Sequence, residues 1–279
     1  MNGIIRVFPR RTSYTPDDGY ALIGMPPMVL PEHREVHVSC VFSWDKAYAE
    51  DLAYQWEGRT NKPVKLGGPA FGSLVDEFEQ GMYLKPNIVF TTRGCNNNCP
   101  WCAVPKTEGR LRELPLTLGN VIQDNNFLQA GRIHKDKVFN MLRTQRQICF
   151  KGGLESNLIN DHFVAAVTSL KIAELWLACD TDAAIPAFKR ACAMLVKAGF
   201  SRNKIRCYVL IGDDMDKNEA RLREVYHAGA MPFAQLYQPF SDEKLAYSDE
   251  WRKFHRMWSR PAAIRAHVEK GTHFQDFNT

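Results

Sequence analysis

The chain contains Thr91-Thr92-Arg93-Gly94-Cys95-Asn96-Asn97-Asn98-Cys99-Pro100-Trp101-Cys102, a C-x3-C-x2-C arrangement of thiols. Three thiolates so close in sequence can ligate three irons of a 4Fe-4S cluster and leave the fourth iron open to a small molecule. Gly94 and the run of asparagines let the backbone wrap round a compact cluster. A structural zinc site and an ordinary set of buried thiols are the rival readings. Zinc normally takes four ligands, and the nearest fourth candidate, His134, lies far along the chain without zinc-finger spacing.

Such a loop needs a scaffold, and the hydrophobic patterning supplies one. From about Pro86 the chain reads as strand then helix, repeated. The strands are expected at Ile88 to Thr91, Asn120 to Gln123, Ile148 to Phe150, Leu175 to Cys179, Ile205 to Leu210 and Ala234 to Tyr237. Helices are expected near His134 to Arg146, Asp161 to Leu170, Ala184 to Ala198 and Asn218 to His227. Six strands in a right-handed parallel series fit a partial (β/α) barrel or an open parallel sheet, and in both, ligands belong at the C-terminal strand ends. The cysteine loop follows the first of these strands.

C-x3-C-x-aromatic-C after the first strand of a (β/α) series resembles the signature of the radical S-adenosylmethionine superfamily, over roughly Pro86 to Tyr237. The resemblance implies an α/β fold with a partial (β/α)6 parallel barrel, in which Cys95, Cys99 and Cys102 ligate the cluster. It also implies that the open iron chelates the amino and carboxylate groups of S-adenosyl-L-methionine. Reductive cleavage then gives methionine and a 5′-deoxyadenosyl radical that abstracts hydrogen from a substrate. The cofactor carries the difficult chemistry while the protein orients it and excludes water.

Members of the family usually carry a Gly-Gly-Glu element at the second strand end. This chain has two candidates for it: Asp124-Asn125-Asn126 after the second strand, which resembles the acidic strand end of the branch with cobalamin-type amino-terminal domains, and Gly152-Gly153-Leu154-Glu155 after the third, with its glutamate displaced by one residue. A helix-capping turn and a turn needing positive φ are their structural alternatives. The resemblance further places ribose near Asp180 in Cys179-Asp180-Thr181-Asp182, and adenine near Ile211-Gly212. Helix capping competes for Asp180, Asp182, Asp213 and Asp214. Cys179 and Cys207 lie on or beside strands and read as core thiols.

Upstream, Val36 to Phe42, Asp45 to Trp56 and Val64 to Leu66 read as strand, helix and strand running into Gly67-Gly68-Pro69. Residues 1 to about 30, rich in Pro, Gly and turn formers, read as an extended arm. This front segment and the TTRGC loop are similar to the branch with cobalamin-binding amino-terminal domains and to tRNA methylthiotransferases. The Asp-x-His-x-x-Gly cobalamin loop is missing, and Cys40 is the only thiol upstream of Cys95, so one cluster and no cobalamin are expected. The expected division is 1–85 for the arm and small α/β unit, 86–240 for the core and 241–279 for a basic, aromatic tail.

In that tail Arg252, Lys253, Arg256, Arg260, Arg265 and Lys270 face only Glu269 and Asp276, so it carries +4 of the formal net charge of +5. Trp251, Phe254, Trp258, Phe274 and Phe277 are interleaved with them. Basic and aromatic residues together can hold phosphates and stack bases, and a docked amphipathic helix is the alternative. A nucleic-acid or nucleotide substrate is therefore the first expectation and a peptide or small metabolite the second. A non-catalytic iron-sulfur or zinc protein binding nucleic acid is the reading of another class. At 45% hydrophobic and 24% charged residues the 279-residue chain is globular rather than disordered or fibrous. No stretch approaches a membrane span, and the start MNGIIRVFPRR lacks an apolar core with a cleavage site, so a cytoplasmic protein without membrane association is expected. Eight cysteines in a reducing compartment point to metal or redox chemistry over disulfides. The implied electron donor is a flavodoxin or ferredoxin.

Overall fold

A computed structural model describes residues 3–72 and 81–274; Asp276 and Phe277 of the basic tail lie outside them. The chain forms two compact units. The smaller comprises Met1–Ile88, Asn97–Arg110 and Pro239–Leu245, and the larger Val89–Asn96, Leu111–Gln238 and Ala246–Thr279. The helices of the tail thus belong to the larger unit.

The smaller unit is built on β1 (Ile4–Phe8), β2 (Ala21–Ile23), β3 (Glu35–Ser39) and β4 (Val64–Gly67), parallel in the order β2-β1-β3-β4. The first thirty residues are therefore not an arm. They supply two strands, one of them internal, because Ile5 and Val7 alternate toward the core and are fully buried. Helix α1 (Lys46–Glu57) lays Ala49, Leu52, Ala53 and Trp56, spaced at one helical face, on Ile5, Val7, Val36 and Val38. Trp56 Nε1 donates to the Gly24 carbonyl at 3.1 Å, which satisfies its one buried donor. After β4, Gly68 at φ +105° has to be glycine: a β-carbon there would stand 2.6 Å from the Cys40 carbonyl oxygen.

The larger sheet takes its strands from β5 (Ile88–Val89), β8 (Val121–Ile122), β9 (Ile148–Leu154), β10 (Ile172–Ala178), β11 (Ile205–Ile211) and β12 (Met231–Leu236), in the order β12-β11-β10-β9-β8-β5. Neighbours from β8 to β12 pair in parallel. Between β5 and β8 run the short antiparallel pair β6 (Thr92–Arg93) and β7 (Arg112–Glu113) and, in the smaller unit, α2 (Val104–Thr107). Helices α3 (Arg132–Leu142), α4 (Asp161–Thr168), α5 (Ile185–Lys197) and α6 (Met215–His227) alternate with the later strands. All six strands of the expected series are present, each shifted by a few residues at its ends.

Strand β11 shows how the sheet is read. Ile205, Cys207, Val209 and Ile211 are buried in the core shared with Leu142, Phe163, Phe188 and Leu222, while Arg206, Tyr208 and Leu210 are half-buried on the other face. The helices start where side chains satisfy their first amides. Asn160 caps α4 by accepting from Phe163 N–H at 3.1 Å, and Asp214 caps α6 by accepting from Lys217 N–H at 3.1 Å. The tail is two helices, α7 (Asp249–Trp258) and α8 (Pro261–Glu269), because Pro261 lacks the N–H that would continue α7. Phe254, Trp258 and Ile264 turn fully inward, and all six basic residues of the tail stay exposed. No described helix is long and apolar enough to cross a membrane.

Candidate metal and cofactor site

The stem of the cysteine loop is held by Asp124. Its buried carboxylate accepts from Thr91 N–H at 2.6 Å, Thr91 Oγ1 at 2.5 Å and Thr92 Oγ1 at 2.9 Å, so the end of the second main strand fixes the chain leaving the first. Burial pushes the Asp124 carboxyl up, against the opposing pull of the two threonines. Gly94 then turns the chain at φ +79°, and its N–H donates to Asn125 Oδ1 at 3.2 Å.

Cys95 sits among three amide and carboxylate side chains of the larger unit. Asn126 Nδ2 and Gln129 Oε1 each lie 3.7 Å from its sulfur. Glu155 closes the group, its Oε2 accepting from Asn126 Nδ2 at 2.7 Å and from Gln129 Nε2 at 3.1 Å. Gln129 Oε1 also accepts from Asn96 N–H at 2.8 Å. Gln129 is placed by a single 3-10 turn, Phe127–Gln129, whose Phe127 ring is buried against Phe139 and Phe150 at centroid distances of 5.7 and 5.2 Å. With Phe127 pinned, the glutamine two residues on reaches the cysteine loop. Asn126 is 4% exposed, and its Oδ1 has no hydrogen-bond partner among the described residues.

The two strand-end segments singled out in the sequence, Asp124-Asn125-Asn126 and Gly152-Gly153-Leu154-Glu155, therefore meet round one cysteine, with unequal parts. Asp124 faces the threonines. Gly152 is demanded by the backbone, since a β-carbon there would stand 1.6 Å from the Asp124 carbonyl oxygen. Gly153, at φ +96°, borders open space. Asn126 and Glu155 face Cys95's surroundings. Gln129, which no motif marks, was not among the expected residues; glutamine in a short turn carries no recognisable signal.

Asp180, Ile211 and Gly212 are engaged elsewhere. Asp180 Oδ1 accepts from Leu210 N–H at 3.0 Å, extending the β10–β11 ladder, and its carbonyl accepts from Arg221, which also pairs with Asp182 at 2.8 Å. Burial pushes the Asp180 carboxyl up, against the Leu210 amide and Arg221. Ile211 lies in the core, and a β-carbon on Gly212 would meet the Tyr247 hydroxyl at 2.4 Å. Asp214 caps α6, and Asp213 accepts from Asn218 Nδ2 at 2.6 Å.

The eight thiols divide into two sets. Cys40, Cys149, Cys179, Cys192 and Cys207 are buried, whereas Cys95, Cys99 and Cys102 are all partly exposed. Burial pushes the Cys40 and Cys192 thiols up to about 11 and Cys179 to about 12, and raises Cys149 and Cys207 as well. In the smaller unit Cys102 N–H donates to the Cys99 carbonyl at 3.0 Å, one tight turn ahead of α2. In kind and accessibility the loop thiols suit a thiolate-bound iron-sulfur cluster. Among the described residues no group of three Cys, His, Asp or Glu side chains is placed to hold a metal ion. His134, the zinc alternative's fourth candidate, is buried with Nδ1 3.6 Å from Glu113. Neither protein-family models nor curated proteins match the chain.

Proposed function

We propose that the chain is a radical S-adenosylmethionine enzyme in which Cys95, Cys99 and Cys102 ligate one 4Fe-4S cluster, at the strand ends of a parallel sheet curved as a partial (β/α)6 barrel. The observation that carries this reading is the division of the thiols: only the three of the C-x3-C-x2-C loop are accessible, and the other five are buried where desolvation disfavours their thiolates. When bound, the cluster supplies the electron that cleaves S-adenosylmethionine and so provides a 5′-deoxyadenosyl radical for hydrogen abstraction.

The chain's own residues hold and orient. Glu155 is an acceptor for an ammonium group and is itself aimed by Asn126 and Gln129. Asn126 Oδ1, buried and without a hydrogen-bond partner among the described residues, is a second acceptor that a bound donor would satisfy. Gly153 leaves room for close approach to its backbone. Asp124 keeps the loop stem rigid through Thr91 and Thr92. Asp180 and Gly212 support the adenosine end through the strand ends they fix. The enzyme works in the cytoplasm with a flavodoxin or ferredoxin as donor. Nucleic acids and nucleotides head the substrate screen on the strength of the tail's charge.

The test is 5′-deoxyadenosine formation by anaerobically purified, cluster-reconstituted protein given S-adenosylmethionine and dithionite, beside Cys99→Ala. Deoxyadenosine from the wild type alone is the expected result. A wild type with full iron and sulfide content that makes none, with or without candidate substrates, overturns the proposal in favour of a non-catalytic iron-sulfur protein.

A further inference from the structure

Helices α7 and α8 meet imperfectly. Ala263 and Ala266, three residues apart on α8, stand opposite Lys253 and Met257, four apart on α7, and such small side chains cannot fill the gap between two helices. The result is a cavity of about 360 Å³ completed by His267, Lys270 and Phe274. That volume is within the range of small-molecule sites, and its walls are apolar in the same way.

Its charge is unbalanced. Lys253 and Lys270 both line it, and among the described residues no aspartate or glutamate lines it and neither lysine makes an ion pair. The wall itself is fixed. His267 is 3% exposed, with Nε2 2.7 Å from Glu219 Oε1 and Nδ1 3.1 Å from Thr272 Oγ1, while Glu219 also accepts from Phe274 N–H at 3.0 Å. Both imidazole nitrogens are occupied, so the lysines remain as the polar groups that can meet a ligand.

We propose that this cavity binds an organic anion, a carboxylate or phosphate on an apolar body, with the anionic group between Lys253 and Lys270 and the body against Met257, Ala263 and Phe274. The site is independent of the cysteine loop and of the chemistry proposed there.

The test is fluorescence titration of the full chain with cis-parinarate, followed by displacement with decanoate, decyl phosphate, inorganic phosphate and decanol. Saturable binding of one probe per chain is expected, displaced by decanoate or decyl phosphate at concentrations at least tenfold below those needed for inorganic phosphate or decanol. The more effective of the first two identifies the anion. Lys253→Gln combined with Lys270→Gln should weaken the probe at least tenfold, and Ala263→Trp, which fills the cavity, should do the same. Both lysines are exposed, so the first variant keeps the fold whatever the second does. Undiminished binding by the lysine variant, or binding without saturation, overturns the proposal. Displacement by a short single-stranded RNA but not by decanoate also overturns it and makes the face a nucleic-acid interface.

Discussion

Glu155 accepts from Asn126 Nδ2 at 2.7 Å, so the end of β9 is tied side chain to side chain to the turn that follows β8, beside Cys95. The bond gives the glutamate a fixed direction without neutralising it.

Glu155→Gln keeps one acceptor oxygen for Asn126 and Gln129, removes the charge and puts an NH2 in place of the other oxygen. Thermal stability should change little. On the proposed function, equilibrium dialysis of the reconstituted protein should show S-adenosylmethionine bound at least tenfold more weakly, about 1.4 kcal/mol or more. Unchanged affinity would take Glu155 out of the cofactor site.

Brief alkylation of the native, metal-free protein should modify Cys95, Cys99 and Cys102 and spare the other five thiols, which should react only after denaturation. Peptide mass spectrometry reads this directly. The ground is accessibility: the five are buried, and burial disfavours their thiolates.

The adjacent glycines of β9 should behave differently. Gly152→Ala drives a methyl into the Asp124 carbonyl, a backbone group that cannot swing aside, and should cost about 3 kcal/mol or prevent folding. Gly153→Ala meets open space and bears only the strain of its positive φ, about 1 to 2 kcal/mol. Denaturant midpoints of the two variants rank them, and a Gly153→Ala variant less stable than Gly152→Ala would contradict the packing described.

Asp124 sets a pH dependence. Burial holds its carboxyl above the ordinary 3.8, so the folded protein keeps this proton to higher pH than the unfolded chain does. Its contribution to stability is then fully present below that value and is lost as pH rises through the raised one. Asp124→Asn cannot titrate, so the stability of wild type relative to this variant should fall as pH rises above the ordinary 3.8 and through the carboxyl's raised value. Denaturant titrations across that range should show it; a difference that grows with pH would mean that the threonine donors outweigh burial.

The strand series was legible because its longer strands, such as Ile205–Ile211, are predominantly apolar over six or seven residues and are separated by helices with their own capping residues. Strand β1 was not, because Arg6 interrupts it and turn formers crowd the sequence that follows. The structure buries that arginine by giving its guanidinium the Met82 carbonyl at 2.7 Å and the Asp18 carboxylate. At the site the cysteines announce themselves by spacing, and the two strand-end segments by composition. What spacing could not reveal is that Asp124 and Gly152 serve each other's backbone and the loop stem, or that an unremarkable Gln129 is carried to Cys95 by a buried phenylalanine. Those relations exist only once β8 and β9 are paired. In the tail, alternating charges and aromatics had two readings, and the burial of Phe254, Trp258 and Phe274 assigns these rings to the core and leaves the charges to the surface.

The division of the thiols also sets how the protein fails in air. Oxidation to sulfenic and higher acids follows exposure and thiolate character, so it will fall on the cysteine loop and pass over Cys40, Cys149, Cys179, Cys192 and Cys207. Because those five lie in the packed cores and the loop thiols do not, material handled aerobically will melt like the native protein, elute like it and still have lost the residues on which any cluster depends.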